Sequence, residues 1–478
     1  MVSGWRTTRK EPLPARVGLG IFWGMRNSSK QPDTPRVRID HRKTAQLFLL
    51  YAMVGTVAGV GAIVFQQLLS LLNIFVMQGV VGFLEIQIVS GLRRFSLPWE
   101  APALRAWLLP VVAGTGGLIT GLLVQRFAPE AAGHGTDEVI EAYHQRDGEM
   151  RLRASITKLF ASAITLGTGG SGGKEGPIAQ IGAGFGSFLC TRIPMYRPYR
   201  RQIMLAGMSA GIAAIFRAPL AGAIFAAEVL YSEMNFNGKA IIPAVIASAV
   251  AYGVYSIYFG FSTAFVVPPF VYSFSLSDLA VFTVIGVLCA WGAILFIRVF
   301  YGLRNLFVRL PLDARIKPAI GGILTGLIAM RLPEALGEGS MQLQRMIDGG
   351  YTWWFLVILL VGKMITTGFS VGSGGSAGIF GPSLFLGAAL GGAFAGLYGT
   401  LIPGTTIPPV MFVLLGMVGF FAGAANAPIS TAIIVAEMTG VYSLFLPFLW
   451  VAVIGYLFSQ RWNIYENQAP ITGNILER

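Results

Sequence analysis

A glycine-rich segment occurs twice in this chain, each time inside a long apolar stretch. Residues 166–177 read LGTGGSGGKEGP, and residues 371–382, 205 positions later, read VGSGGSAGIFGP. A second pair follows at a similar spacing, with GMSAGIAAIFRAPLAGAIFAAE at 207–228 and GMVGFFAGAANAPISTAIIVAE at 416–437. Two pairs in nearly one register indicate a chain built from two related halves. In membrane proteins, paired apolar segments interrupted by Gly and Pro are the best sequence indication of a binding site.

The composition is that of a membrane protein. Hydrophobic residues make up 54% of the chain and charged residues only 12%, whereas a soluble domain carries about 25% charged residues. Four stretches, 44–77, 106–126, 277–302 and 408–437, each exceed the roughly 20 apolar residues that cross the hydrocarbon core. Other apolar runs end sooner at Gly or Pro, which predicts helices that stop partway through the membrane. Such irregular backbone occurs at depth only where protein or a watery cavity surrounds it. We predict an all-α polytopic membrane protein.

The net charge of +13 is concentrated at the N-terminus, in residues 1–43. The positive-inside bias predicts that this tail is cytoplasmic, so that it contacts anionic lipid headgroups of the cell's inner membrane. Nothing in it is typical of nucleic-acid binding. After the tail we expect a first membrane repeat at 44–260, a linker at 261–276 that contains two prolines, a second repeat at 277–460, and a short C-terminal segment at 461–478.

The first glycine-rich copy contains an acidic residue, in Gly173-Lys174-Glu175-Gly176-Pro177. Because Pro is favoured in the first turn of a helix, a helix should begin near Pro177. Its N-terminus would present unpaired N–H groups and a partial positive charge, which suit an anion. Glu175 could occupy such an anion site itself. An ionisable residue at membrane depth is a functional candidate by default.

The second copy, Gly378-Ile379-Phe380-Gly381-Pro382, opens a similar helix without an acid. Two helix N-termini would then face a shared point from opposite halves of the chain. Close helix packing is the other interpretation of such glycines. A phosphate-binding loop is not supported, because the pattern G-x-x-x-x-G-K-[ST] fails at its first glycine and at its hydroxyl residue.

GKEGP at 173–177 and GIFGP at 378–382, together with the paired APLAG and NAPIS segments, resemble the CLC chloride channels and chloride/proton exchangers. The resemblance covers about residues 44–470. It implies two inverted repeats of tilted and partly non-spanning helices, and a homodimer with a separate anion pathway in each subunit. The transported ions would be chloride and, in an exchanger, protons. The resemblance implies no enzymatic activity, no cofactor and no metal.

The resemblance also implies roles for single residues. Glu175 matches the gating glutamate, which swings out or takes up a proton to let anions pass. Ile379 and Phe380, which follow Gly378, match the residues whose backbone N–H groups hold the central anion. Tyr465 matches the tyrosine whose hydroxyl completes that site.

One departure from the family lies where a GSGIP segment normally supplies a serine to the anion. The aligned residues here are Gly133-His134-Gly135-Thr136-Asp137. His134 could donate through a ring N–H, or it could face away and leave the backbone amides to bind the anion. Thr136 is a candidate substitute hydroxyl. Asp137 beside an anion path is unfavourable unless it is paired or turned away.

A second departure concerns protons. Many exchangers carry an internal proton-accepting glutamate at the position of Val229, directly after Glu228, whereas channel members have valine there. We therefore expect channel-like chloride transport. A chloride/proton antiporter is the alternative, since some exchangers lack that glutamate. A secondary transporter of another small anion and an intramembrane enzyme have less support, because the chain offers few extra polar side chains and no H-E-x-x-H pattern.

Glu228 and Glu437 occupy equivalent places in the two repeats. Because buried carboxylates are costly unless they are paired, we favour a structural role for them over proton transport. Their partners would be basic residues or backbone N–H groups.

Overall fold

The computed structural model describes residues 41–83, 103–232, 238–404 and 406–469. The described residues from Ala45 onward belong to one compact unit. Most of the basic tail and the end of the C-terminal segment lie outside the described residues, so their predicted roles stay predictions. Among the described residues, regular structure is helical, and β-pairing is limited to three isolated bridges.

The first half of the described chain contains eight α-helices. They are α1 (His41–Leu72), α2 (Leu108–Phe127), α3 (Thr136–Gln145), α4 (Leu152–Gly167), α5 (Glu175–Arg192), α6 (Arg200–Phe216), α7 (Pro219–Glu228) and α8 (Gly238–Phe259). A π-helical segment, Asn73–Val81, continues α1.

The second half of the described chain repeats this series with eight further helices. They are α9 (Asp278–Arg309), α10 (Lys317–Ala329), α11 (Ser340–Ile347), α12 (Trp353–Gly372), α13 (Phe380–Leu401), α14 (Pro409–Ala425), α15 (Pro428–Thr439) and α16 (Phe445–Ser459). Between the two series, residues 260–277 contain no helix.

Seven of the described helices are long and apolar enough to cross a bilayer. They cover three of the four apolar stretches that the sequence predicts as spans. The fourth prediction, 408–437, is wrong as a single span, because α14 ends at Ala425 and α15 begins at Pro428. Asn426 between them has φ 54°, a left-handed conformation that terminates a helix. The two resulting helices are each too short to span the hydrocarbon core alone.

Reciprocal contacts show that the two repeats are inverted relative to each other. Glu228, the last residue of α7, accepts the N–H groups of Ile429 and Ser430 at the start of α15 (3.1 and 2.7 Å). Glu437, near the end of α15, accepts two N–H groups at the start of α7 (3.2 and 2.7 Å). The two helices are therefore antiparallel, and each carboxylate satisfies N–H groups that a helix start leaves unpaired. The sequence predicts basic residues or backbone N–H groups as partners of these glutamates. The observed partners are backbone N–H groups.

Some of the repeated glycines serve helix packing. A Cβ added at Gly182 in α5 would overlap the carbonyl oxygen of Gly207 in α6, and a Cβ at Gly207 would overlap that of Gly182. Gly387 and Gly416 stand in the same reciprocal relation between α13 and α14. Close contacts of this kind let helix backbones approach each other in a membrane. Helix packing is thus the role of these four glycines, which lie outside the two glycine-rich segments, while glycines ahead of α5 and α13 build the site described next.

Candidate functional site

The two glycine-rich segments meet as a short antiparallel bridge. The N–H of Gly173 donates to the carbonyl of Gly378 (2.7 Å), and the N–H of Gly378 donates to the carbonyl of Gly173 (2.6 Å). A Cβ at Gly378 would lie 2.9 Å from the amide nitrogen of Gly176, so this approach requires glycine. The bridge brings the starts of α5 and α13 together. α5 begins at Glu175, two residues before the predicted Pro177, which lies in its first turn.

The carboxylate of Glu175 lies at the N-terminus of α13. Its Oε2 accepts the N–H of Gly381 at 3.2 Å, and the residue is only 7% exposed. A Cβ at Gly381 would lie 2.9 Å from the same oxygen, and a Cβ at Gly173 would overlap it. Glycine at both positions is therefore what allows the carboxylate to reach the backbone. The positive end of α13 stabilises a negative charge at this point.

Ile379 and Phe380 place their backbones beside this carboxylate. Both residues are buried, and within the described residues neither of their N–H groups has an acceptor. The Phe380 ring packs into an aromatic cluster, 3.8 Å from the ring of Phe421 and 4.6 Å from that of Phe216, centroid to centroid. Because its side chain is engaged there, the group that Phe380 can offer to an anion is its backbone N–H.

Tyr465 is fully buried in the segment that follows α16. The Ile464 N–H before it donates to the Ala424 carbonyl (3.0 Å), and the Tyr301 hydroxyl donates to the Ile464 carbonyl (2.7 Å). The Tyr465 hydroxyl itself has no hydrogen-bond partner within the described part of the chain, and Thr136 lies near it outside bonding geometry. A hydroxyl in this state keeps its O–H available to donate to an anion.

His134 faces Tyr465, with the two ring centroids 5.7 Å apart. Its Nδ1 is shielded from solvent and, among the described residues, has no hydrogen-bond partner. The turn that carries His134 is held by Lys158, whose ammonium donates to two of its carbonyl groups (3.2 and 2.6 Å). His134, Thr136 and Tyr465 thus gather around one buried point.

Asp137 is paired, which is one of the two conditions that the sequence sets for it. Its carboxylate accepts the backbone N–H and the side-chain amide of Asn467 (2.9 and 3.1 Å). Asn467 comes two residues after Tyr465. Asp137 therefore ties the start of α3 to the segment that positions the tyrosine.

Val229 is fully buried directly after α7. The side-chain amide of Gln468 donates to the carbonyls of Val229 (2.8 Å) and Ala425 (2.9 Å). At this position the chain presents a backbone carbonyl and an apolar side chain, with the Glu228 carboxylate committed to the start of α15.

Two cavities lie on either side of the meeting point of α5 and α13. The first, which we call the lysine cavity, is lined by residues that include Lys174, Glu175, Arg217, Tyr255 and Glu338. The second, the histidine cavity, is lined by residues that include Gly133, His134, Asp137, Arg304 and Glu466. A Cβ at Gly176 would overlap the His134 carbonyl oxygen, so α5 begins directly against the wall of the histidine cavity.

Sequence reasoning missed a third repeated motif. Residues 128–136 read APEAAGHGT and residues 332–340 read LPEALGEGS, and both runs form a 3₁₀ turn followed by a short helix. Each turn is hydrogen-bonded by a buried lysine, Lys158 in the first repeat and Lys363 in the second. The shared pattern P-E-A-x-G-x-G would have revealed the pair. Glu338, the counterpart of His134, forms an ion pair with Lys174 (2.8 Å).

Comparison with known proteins gives consistent results. The family model "Voltage gated chloride channel" matches residues 116–460. The chain is 30% identical to a putative chloride channel protein ClcB-like of Ralstonia nicotianae, over 76% of this chain and 83% of that protein. It is 32% identical to the H(+)/Cl(-) exchange transporter ClcA of Vibrio cholerae serotype O1, over 84% of this chain and 87% of that protein.

Two solved structures share the fold. A CLC-type fluoride/proton antiporter superposes with a TM-score of 0.74 at 21% identity, covering 90% of this chain and 99% of its own. A slow cyanobacterial Cl-/H+ antiporter superposes with a TM-score of 0.73 at 22% identity, covering 87% and 94%.

Proposed function

The chain belongs to the voltage-gated chloride channel family, and on that premise we propose that it carries chloride across the membrane through a pathway gated by Glu175. One observation carries this proposal above the others. The Glu175 carboxylate accepts the Gly381 N–H at the start of α13, a position where a helix N-terminus would otherwise hold a free anion. A gate that is itself an anion competes with the transported ion for one site.

Chloride entering this site would lose its hydration water. In the proposed mechanism, the N–H groups of Ile379 and Phe380 and the hydroxyl of Tyr465 replace that water. The partial positive charge of the helix N-termini repels cations and so accounts for the selectivity between anions and cations. Protonation of Glu175 removes its negative charge and weakens its hold on the α13 N-terminus, which lets chloride take its place.

His134 extends the proposed site toward the histidine cavity. Its ring stands beside Tyr465 and takes the position where the family has a serine. A neutral histidine ring carries one N–H donor and one acceptor, and the ring accommodates an anion by turning the donor toward it. Thr136 adds a second candidate hydroxyl at the same point.

We propose a channel-like transport mode, because Val229 cannot hold a proton at the position where many exchangers of the family carry a glutamate. Coupled chloride/proton exchange is the second candidate. The Vibrio cholerae relative, named as an H(+)/Cl(-) exchange transporter, supports this candidate. In that case Glu175 would carry the proton as well as gate the anion.

The proposal places the protein in the inner membrane as a homodimer with a cytoplasmic N-terminus. The support is the basic charge of residues 1–43 and the resemblance to the family. Lys174 contacts Gln66, which lies late in α1, so a cytoplasmic start of α1 would place the lysine cavity toward the outside and the histidine cavity toward the cytoplasm. Light scattering of the purified protein in detergent measures the subunit number, and a mass of one subunit would reject the dimer.

Liposomes that contain the purified protein test the function. A chloride gradient is imposed across the membrane, while electrodes follow chloride and the pH of a weakly buffered outer solution. We expect chloride flux above that of protein-free liposomes, with no proton movement driven against its gradient. Uphill proton movement would reject the channel-like mode in favour of exchange. Flux of a small organic anion in place of chloride would reject the chloride pathway.

A further inference from the structure

The Lys174–Glu338 ion pair lies beside the gate and is not explained by the anion site. The ammonium of Lys174 is 2.8 Å from the carboxylate of Glu338, and the two side chains are 15% and 13% exposed. Lys174 also donates to the side-chain oxygen of Gln66 (3.1 Å). Lys174 directly precedes Glu175 in the sequence. Glu338 therefore neutralises the positive charge that is nearest in sequence to the gating carboxylate.

The position of Glu338 is set by the fold and does not depend on the ion pair. The Lys363 ammonium donates to the carbonyls of Ala335, Leu336 and Gly337 (3.2, 3.3 and 2.8 Å). The N–H of Gly172 also donates to the Gly337 carbonyl (3.2 Å). The turn therefore presents Glu338 from a rigid base, at the end of the pathway opposite to its repeat counterpart His134.

Four charged side chains line the lysine cavity, namely Lys174, Glu175, Arg217 and Glu338. Arg217 is engaged by Ser262, whose carbonyl accepts from its guanidinium at 3.1 Å. Lys174 is engaged by Glu338. Of these two cations, Lys174 is the one paired with a carboxylate, while the Ser262 carbonyl that engages Arg217 is neutral. A Glu175 carboxylate that moves from the α13 N-terminus into this cavity as an anion therefore meets a Lys174 ammonium whose charge Glu338 already neutralises.

We propose that Glu338 is a positioning residue for the gate, which holds Lys174 so that the Glu175 carboxylate stays at the start of α13. Removal of the Glu338 charge releases the Lys174 ammonium, and the released ammonium stabilises Glu175 in its outward position. The population of the open pathway then rises, because an equilibrium shifts by the difference in interaction free energy between its two states. This inference rests on the proposed function of Glu175.

The test is chloride efflux from liposomes with the full-length protein and the Glu338→Gln variant. Gln keeps the size of the side chain and removes its charge. We expect efflux to rise about fivefold, the scale of a partly exposed ion pair. Glu334→Gln is the matched control, since it makes the same charge change on the same turn, where no ion pair to Glu334 is found among the described residues. We expect Glu334→Gln to transport at the wild-type rate.

Two further backgrounds separate positioning from a simple effect of charge on chloride. If Glu338 acts through the gate, adding Glu338→Gln to the Glu175→Gln variant does not change chloride efflux, because the gating charge is already gone. Adding Glu338→Gln to Lys174→Met likewise leaves efflux unchanged, because the ammonium is already gone. An equal acceleration in the Glu175→Gln background would overturn the proposal, because Glu338 would then act on chloride directly. Wild-type or slower efflux in folded Glu338→Gln would overturn it as well.

Folding and the underlying gate are checked separately. Size-exclusion chromatography in detergent reports whether Glu338→Gln is folded, and Glu338→Asp, which keeps the charge with a shorter reach, is expected to lie between wild type and Glu338→Gln. Efflux from Glu338→Asp at or above the Glu338→Gln rate would count against the ion pair. If chloride efflux through Glu175→Gln keeps the wild-type pH dependence, the proposal that Glu175 is the gate fails. If efflux through Glu175→Gln is independent of pH while efflux through Glu338→Gln equals that of wild type, only the positioning role of Glu338 fails.

Discussion

The turns at residues 133–136 and 337–340 have the same backbone construction, but the first carries a histidine where the second carries a glutamate. Each follows a Pro-Glu-Ala 3₁₀ turn, each precedes a short helix, and each is hydrogen-bonded by a buried lysine. The first carries His134 toward Tyr465, while the second carries Glu338 toward Lys174. The duplicated backbone is a scaffold common to both ends, and single side chains on it decide what each end does.

The starts of α5 and α13 differ in the same way. Both follow a glycine-rich segment, and both have proline in the first turn. α5 begins with Glu175, and α13 begins with Phe380, whose ring packs away among other aromatic rings. One repeat therefore supplies a carboxylate and the other supplies the helix N-terminus that receives it.

The largest effect that we expect concerns the two buried lysines that hold the turns. Lys363→Met leaves three carbonyl groups without their charged donor, and Lys158→Met leaves two. We expect the free energy of unfolding to fall by about 3 kcal/mol for Lys363→Met and about 2 kcal/mol for Lys158→Met. Unfolding in detergent measures both. Lys317→Met, at a partly exposed lysine that donates to one carbonyl (3.3 Å), is the control and should stay near wild type. Equal stability of all three variants would show that the turns are held by other contacts.

A smaller effect is expected for the carboxylates that pair α7 with α15. Glu228 is fully buried and Glu437 is partly exposed. Glu228→Ala leaves one buried and one partly buried N–H group unsatisfied. Water can reach the N–H groups that Glu437→Ala leaves at the partly exposed start of α7. We expect losses of about 2 and about 1 kcal/mol in the free energy of unfolding. The same unfolding measurement tests both variants. A larger loss of unfolding free energy for Glu437→Ala than for Glu228→Ala would contradict the expectation that the more buried carboxylate contributes more stability.

The smallest effect is expected at His134, whose contribution is shared with Thr136 and Tyr465. His134→Ala removes one ring donor, so chloride affinity measured by titration calorimetry should weaken about threefold, as for the loss of a single hydrogen bond. His144→Ala is the matched control, because the His144 Nε2 is bonded to the Leu230 carbonyl (2.9 Å) away from Tyr465. Unchanged affinity in His134→Ala would show that the ring faces away and that backbone amides bind the anion.

Much of this arrangement could be predicted from the sequence, because the repeated segments carry it locally. The glycines, the prolines and Glu175 lie within short motifs. Such a motif sets the start of a helix through neighbouring residues alone, so the helix start does not depend on distant contacts. The identity of the residues that pair with Lys174 (Glu338), Asp137 (Asn467) and Glu228 (Ser430) could not be predicted, since each of these three lies more than 150 residues away in the sequence. Their contacts depend on the inverted packing of the two repeats. The break at Asn426 escaped prediction for another reason, since an apolar run with one Asn and one Pro fits both one long helix and two short ones.

The central claim is that the Glu175 carboxylate occupies the anion site at the start of α13 and leaves it on protonation. The most direct test is the pH dependence of chloride efflux from liposomes that contain Glu175→Gln, with the exposed carboxylate variant Glu149→Gln as control. We expect Glu175→Gln to be faster than wild type at neutral pH and equally fast at acidic pH, since a neutral side chain mimics the protonated gate. Glu149→Gln should keep the wild-type acceleration on acidification. Wild-type pH dependence in Glu175→Gln would contradict the claim and assign the gate to another group.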